Sequence, residues 1–386
     1  LRTLHSGKKY KGDSVPLTQE QALITALLSQ KLSALRIRAS FESVEPGPIV
    51  TTYYMHLGAD IPISKIMRAE EDLALAVGAP SVLITRKGAS IAIAIPNKER
   101  TVVSYDSCLH SLMQDANCQL PIMLGVDTKG NEKHIDLIES PHILIAGSTG
   151  AGKSVLLAAI ISGLATAKSK HELKMMLVDT KQLDLTLFAD LPHVVEVADD
   201  LEKVHLLLDR LHIIVRQRTA KMKGIARNLS EYNALGDHQL PYYVVVIDEL
   251  ADVLMQDRSA GKGIRGYEKA ETKLQGLLQI CRAAGIHIIC ATQRPSVEII
   301  TGDIKANILT RIALRLPSGA DSRTVLNEYG AEKLLGRGDM LIESPCFDQI
   351  TRFHGPFVSM AHIASVLDNC DGIRNSYKML ESSIGR

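Results

Sequence analysis

The run Ile143 to Ser154, ILIAGSTGAGKS, passes from apolar residues straight into GxxxxGKS, and it demands a strand, a tight loop and a helix in that order. Gly147, Gly150 and Gly152 let the backbone turn its N–H groups inward around a phosphate, where a β-carbon would obstruct. Lys153 then reaches the β- and γ-phosphates, Ser154 offers its hydroxyl to Mg²⁺, and the helix starting there presents its positive dipole end. The expected nucleotide contacts are Gly147, Ser148, Thr149, Gly150, Ala151, Gly152, Lys153, Ser154 and Val155, with ATP and Mg²⁺ as cofactors. Such a pattern also arises by chance in glycine-containing loops. Here HILIA before it reads as a buried strand and VLLAAIISGLATA after it as a buried helix, the context a P-loop requires.

With 386 residues, 46% of them hydrophobic and 23% charged, the chain can bury a large core and is expected to form two domains. The most apolar segment, Val155 to Ala167, is too short for a membrane span and belongs to the helix after the P-loop, so no direct membrane contact is expected. No signal peptide is evident. Six cysteines without a CxxC pair suit reduced thiols in a cytosol, hence a cytoplasmic protein. The chain starts at Leu1, so a segment tethering it to the inner membrane could precede it. A net charge of +1 carries no bulk signal for a polyanion, and the basic start GKKYKG reads as a solvated tail.

The elements change character near residue 120. Residues 17 to 36 carry an apolar helical pattern, followed by strand-like RASFESV, PIVTTYYMHL, SVLITR and SIAIAIP, with a helix at SKIMRAEEDLALAV. PGP at 46 to 48 marks a turn. PIMLGV and KHIDLI around TKGNE read as a hairpin leading into the P-loop strand. Beyond it, MMLVD, HVVEV, YYVVVID and HIICA alternate with helices, the pattern of a mostly parallel sheet with its ligand at the carboxyl ends. Leu201, Val204, Leu208, Leu211 and Val215 form a core-facing stripe on the long helix. The expected division is a helix or linker over 1–36, a small α+β domain over 37–118, an α/β motor over 119–370 and a tail over 371–386.

YYVVVIDELAD places two acids at the end of a buried strand. Asp248 would hold the Mg²⁺ with its water shell, and Glu249 would orient and polarise the attacking water. The plainer reading, acids capping the next helix, fits the same geometry. In GIHIICATQRP, Gln293 at the next strand tip can hydrogen-bond the γ-phosphate and sense its loss.

Taken in order, GSTGAGKS, DTKQLDL, VVVIDELAD, RAAGIHIICATQRPSVEIITGDIKANILTRIAL and DSRTVLNEYGAEKLLGRGDML resemble the FtsK/SpoIIIE family of double-stranded DNA translocases. Upstream, SFESVEPGPIVTTYYMHL and IAIAIPNKER resemble the family's α-domain, so the resemblance spans roughly residues 37–358. It implies a RecA-like motor, a homo-hexameric ring, and ATP-driven movement along double-stranded DNA in chromosome segregation. Two departures stand out: Asp179, Thr180 and Lys181 replace the family's DPK, and residues 253 to 273 form a longer, glycine-richer linker. The family's winged-helix γ-domain finds no room in the chain, so translocation without sequence guidance is expected.

Ring ATPases complete their site with an arginine from the next subunit, and Arg282 and Arg311 are the candidates here. For phosphate contact in the channel the candidates are Lys262, Arg265 and Lys305, each of which singly reads as a solvated loop charge. A protein-secretion ATPase built on the same motor is the alternative function. A GTPase switch is disfavoured by the Asp-Glu pair and because the only NKx sequence, Asn97 to Glu99, lies upstream of the P-loop and lacks the following Asp.

Overall fold

The computed structural model describes residues 17–236, 239–260 and 268–369, which fall into two compact units, Leu1–Lys98 and Glu99–Arg386. In the first, helix α1 (Gln19–Ala34) opens on a capping box in which Thr18 and Gln21 satisfy each other's backbone N–H groups. Strands β1 (Ala39–Pro46) and β2 (Val50–Leu57) follow, joined through the expected turn, where Gly47 donates to Val50. Helices α2 (Ile63–Met67) and α3 (Glu70–Val77) precede β3 (Leu83–Lys87) and β4 (Ser90–Pro96). The four strands make an antiparallel sheet in the order β1-β2-β4-β3.

Two features differ from expectation. The helix expected over 64–77 is broken at Arg68 and Ala69, because the buried Glu70 carboxylate turns inward to accept from Ile84 N–H at 3.0 Å. And α1 is no linker: Leu28 and Leu32 are buried in one core with Tyr53, Ile66, Leu73 and Ile93.

The second unit begins with α4 (Tyr105–Gln114), β5 (Pro121–Asp127), β6 (Glu132–Asp136), β7 (His142–Ala146) and α5 (Lys153–Ala167). Next come β8 (Leu173–Val178), β9 (Val194–Ala198), α6 (Leu201–Met222), α7 (Leu229–Ala234) and β10 (Tyr242–Ile247). Then follow α8 (Leu250–Ser259), α9 (Ala270–Ile280), β11 (Ile286–Thr292), α10 (Gly302–Asn307) and β12 (Thr310–Leu314). Helix α11 (Gly319–Leu326), β13 (Asp339–Glu343), β14 (Thr351–His354) and α12 (Met360–Asn369) complete the described part. The unit starts at residue 99 rather than 119 because Tyr105, Cys108 and Leu112 bury one face of α4, which packs on β5, β6 and α5.

All ten strands form one sheet, β6-β5-β14-β13-β12-β7-β11-β10-β8-β9. From β12 to β9 every pairing is parallel, and from β12 outward to β6 every pairing is antiparallel. The β5–β6 hairpin forms as expected, yet it lies at the far edge, with β14, β13 and β12 between it and β7. The α6 stripe is core: Val204, Leu208, Leu211 and Val215 are buried, and Leu201 is half-buried. No helix among the described residues is long and apolar enough to cross a membrane.

Candidate functional site

Parallel pairing in register brings the sequence motifs to one sheet edge. Ala146 at the end of β7 lies opposite Thr292 of β11 on one side and Ala313 of β12 on the other, while Ile247 of β10 lies between Cys290 and Val178. The residues just past these ends, Gly147, Asp248, Asp179 and Gln293, therefore share one rim.

The P-loop is fastened on both flanks. Gly147 N–H donates to Thr292 O at 3.2 Å, and both the N–H and the hydroxyl of Ser148 donate to Arg315 O, at 3.0 and 2.9 Å. Thr149 donates its hydroxyl to the Gln293 side-chain oxygen at 2.9 Å, linking the phosphate loop directly to the tip of β11. Gly150 and Gly152 hold φ of +76° and +107°, and Gly152 is the N-cap of α5, whose first turn carries no acid to compete with a phosphate. Val155 stands half-buried in that turn.

A β-carbon on Gly152 would meet Gly338 N at 2.6 Å, since the loop over 336–338 is pressed against the P-loop and Gly338 N–H donates to Ala151 O. On Gly150 it would meet nothing within 4 Å. Gly152→Ala is thus expected to lose about 1–3 kcal/mol of stability and to abolish binding of a fluorescent ATP analogue. Gly150→Ala should show only the milder left-handed strain, about 1 kcal/mol. Equal thermal shifts for the two variants would show that the contact with Gly338 carries no weight.

Lys153, at the head of α5, is buried and donates to the Asp248 main-chain oxygen at 2.8 Å and to its carboxylate at 2.5 Å. Burial pushes the Asp248 carboxyl up, Lys153 pulls it back, and the nearby Asp184 and Asp179 push it up further. Ser154 donates its hydroxyl to Asp184 in a very short bond. Asp179 is buried, one oxygen accepting from the N–H groups of Leu183, Leu185 and Thr186 while the other has no partner. That wrapping, with Gln182 at φ +56°, is what carries Asp184 to Ser154. Hard oxygen donors on Ser154 and Asp248 fit Mg²⁺. Among the described residues no group of three acid, imidazole or thiol side chains is arranged as a metal cage.

Glu249 is buried with both oxygens engaged. Thr292 hydroxyl donates to Oε1 at 2.7 Å, and Gln293 N–H donates to Oε1 and Oε2 at 3.1 and 3.0 Å. As the N-cap of α8 it makes no side-chain capping bond, so the capping reading of this acid does not hold. Lys181 lies 3.0 Å from Asp252 and 3.8 Å from Glu249; burial works against its charge, and the three surrounding acids hold its pKa up.

The remaining candidates fall elsewhere. Arg282 is exposed on the turn before β11, at the opposite end of that strand from Gln293. Arg311 is buried and pairs across strands with Glu343 at 2.5 Å, so its guanidinium is used within its own chain. Lys305 donates to Thr324 O at 2.6 Å and Arg323 O at 3.4 Å, capping the end of α11. Lys262 and Arg265 lie outside the described residues. Sequence reasoning passed over Asp184 and the 336–338 loop; the visible signals were an acid shortly after the β8 strand and an arginine flanked by two glycines.

The model of the FtsK/SpoIIIE family matches residues 105–237 and 232–297, and that of the FtsK alpha domain matches residues 4–97. The chain belongs to the FtsK/SpoIIIE family. Among its relatives are proteins named DNA translocase FtsK from Oceanobacillus iheyensis, 35% identical over 94% of this chain and 47% of that one, and from Treponema pallidum, 36% identical over 91% and 44%. The chain spans about half the length of the curated relatives it matches. Among solved structures it is similar to the pCW3 conjugation coupling protein TcpA, monomer form with ATPγS, at TM-score 0.63 and 22% identity over 90% of this chain and 99% of that one. It is also similar to the cytoplasmic domain of the Thermomonospora curvata type VII secretion ATPase EccC, at TM-score 0.61 and 23% identity over 71% and 35%. At these identities the two structures speak to fold alone, that of a P-loop α/β domain.

Proposed function

We propose that this FtsK/SpoIIIE-family chain is the motor of an ATP-driven double-stranded DNA translocase, working as a homo-hexameric ring on the cytoplasmic side in chromosome segregation. The observation that carries the hydrolytic part is the second acid: Glu249 follows Asp248 at the strand tip, its two oxygens aimed by Thr292 and Gln293. A carboxylate fixed beside a phosphate loop can take a proton from water as it attacks the γ-phosphate. With nucleotide bound, Lys153 would turn from Asp248 to the β- and γ-phosphates, Ser154 and Asp248 would hold Mg²⁺, and Gln293 would couple the γ-phosphate to Thr149. Bound Mg²⁺ supplies neutralisation of phosphate charge.

Of the two trans arginines considered, Arg282 is favoured, because its side chain is exposed whereas Arg311 is committed to Glu343. It would complete the site of a neighbouring subunit. Lys262 and Arg265 are the channel contacts we favour, since Lys305 would have to release Thr324 first.

The alternative substrate is polypeptide. The relatives named DNA translocase favour DNA, and the likeness to EccC bears on fold only. ATPase rate with long duplex DNA is expected to rise several-fold at low salt and to lose that stimulation as salt increases, because each phosphate contact releases counterions. No DNA stimulation at low salt, with a rise on adding a secreted polypeptide, would favour the alternative.

A further inference from the structure

Arg218 sits one turn from the end of α6, 5% exposed, away from the phosphate rim. Its Nη1 donates to Ala284 O at 2.6 Å and Gly285 O at 3.4 Å, and its Nη2 donates to Pro241 O at 2.5 Å. The guanidinium stacks on the Tyr243 ring, 4.9 Å from its centroid. Among the described residues its three hydrogen-bond partners are all carbonyls, and burial lowers its pKa to about 10. Keeping an arginine charged in such a place is costly, and the carbonyls it gathers are what offsets that cost.

Two of them, Ala284 O and Gly285 O, belong to the turn that carries Arg282, and the third, Pro241 O, lies just before β10. Ala284 N–H and Ile286 N–H donate to Cys281 O, and Gly285 N–H donates to Arg282 O. Ala283 O accepts from Leu229 N–H at 2.9 Å and Gly285 O from Tyr243 N–H at 3.0 Å, so Ala284 O is the carbonyl that Arg218 takes for itself, and Gly285 O is one it shares with β10. Gly285 is left-handed, φ +66°, and a β-carbon there would lie 2.1 Å from Leu229 Cδ2. The backbone of residues 281–285 is thereby held at successive positions, and the Arg282 side chain projects from it into solvent.

We propose that Arg218 is a positioning residue for Arg282: by clamping the Ala284 and Gly285 carbonyls to α6 and to the start of β10, it fixes the direction in which Arg282 is offered to the neighbouring subunit's nucleotide. The inference rests on the reading of Arg282 as the trans arginine. A guanidinium that must meet a transferring phosphoryl group is sensitive to its base, since a displacement of about 1 Å can cost roughly 100-fold in rate.

The test is a double-mutant cycle on the full chain, read as DNA-stimulated ATPase at saturating ATP. Arg218→Met is expected to lower kcat roughly 10- to 100-fold with little change in KM for ATP, and Arg218→Lys, which can still reach one carbonyl, to fall between. In an Arg282→Ala background, Arg218→Met should cause no further loss. Gly285→Ala, which disturbs the turn through Leu229 while the Arg218 side chain is kept, should reproduce the kcat defect and supplies the answer should Arg218→Met fail to fold. An equal fold-loss from Arg218→Met in both backgrounds, or parent-like kcat in Arg218→Lys, Arg218→Met and Gly285→Ala, overturns the proposal. Parent-like kcat in Arg282→Ala alone would instead remove the underlying reading of Arg282.

Discussion

Glu249→Gln is expected to leave ATP binding within a few-fold of the parent and to slow hydrolysis by about 10²–10⁴-fold, the usual worth of a positioned general base. The phosphate contacts come from the P-loop and Lys153, which the substitution does not touch. The carboxamide keeps the length and one acceptor, so Thr292 and Gln293 N–H can share the retained oxygen, but the NH₂ now crowds Gln293 N–H where the second oxygen stood. That donor-to-donor encounter should cost about 1–3 kcal/mol of stability, visible as a lower melting temperature without nucleotide. Single-turnover hydrolysis together with binding of a fluorescent ATP analogue separates the two effects. Turnover at the parent rate would take the base role away from Glu249.

The second large effect is on acid stability of the second unit. Burial, with His287 and Arg282 nearby, pushes His142 down to about 3; burial, with Arg282 and Arg218 adding to it, pushes His287 down to about 4. His354 is likewise pushed down to about 4 by burial, against the pull of Asp339. Histidine in the unfolded chain titrates near 6.5, so between that pH and about 4 the unfolded state binds protons that the folded state refuses. The sign is a loss of stability as pH falls, about 1.4 kcal/mol per pH unit for each histidine and about 4 for the three together. Asp339, held low by Arg352 and His354, adds to the loss below the ordinary carboxylate range, while the raised Asp248 opposes it slightly. Domain stabilities of about 5–15 kcal/mol cannot absorb such a slope for long, so unfolding is expected between pH 5 and 4. Urea midpoints that stay constant from pH 7 to pH 5 would refute this.

The rim of the site was legible because each of its parts is local. A strand, its terminal residues and the following turn lie within a dozen positions, and parallel pairing brings equivalent ends together. What could not be read depends on partners distant in sequence. Arg311 looks available in NILTRIAL until β13 pairs in register and sets Glu343 opposite it. Lys305 looks like a loop charge until α11 ends beside it. The β5–β6 hairpin precedes β7 directly in the chain, yet three strands that arrive much later intervene in the sheet. The break between α2 and α3 follows from Glu70 finding a backbone N–H on β3, a contact that helical periodicity does not encode. In Arg218 the apolar stripe of α6 hides a buried cation whose purpose lies in another turn.

Side chains normally take up small displacements by changing rotamer, which softens the mechanical link between neighbouring loops. At Gly152 and Gly338 main chain lies directly against main chain, and a β-carbon on Gly147 would lie 3.0 Å from the Leu314 side chain. The phosphate loop is therefore tight at its two ends, Gly147 and Gly152, and open between them at Gly150. Travel of those ends is expected to pass to the tips of β11 and β12 and to the start of β13, so that stiffness here acts as gearing between the loop and the segments bonded to it.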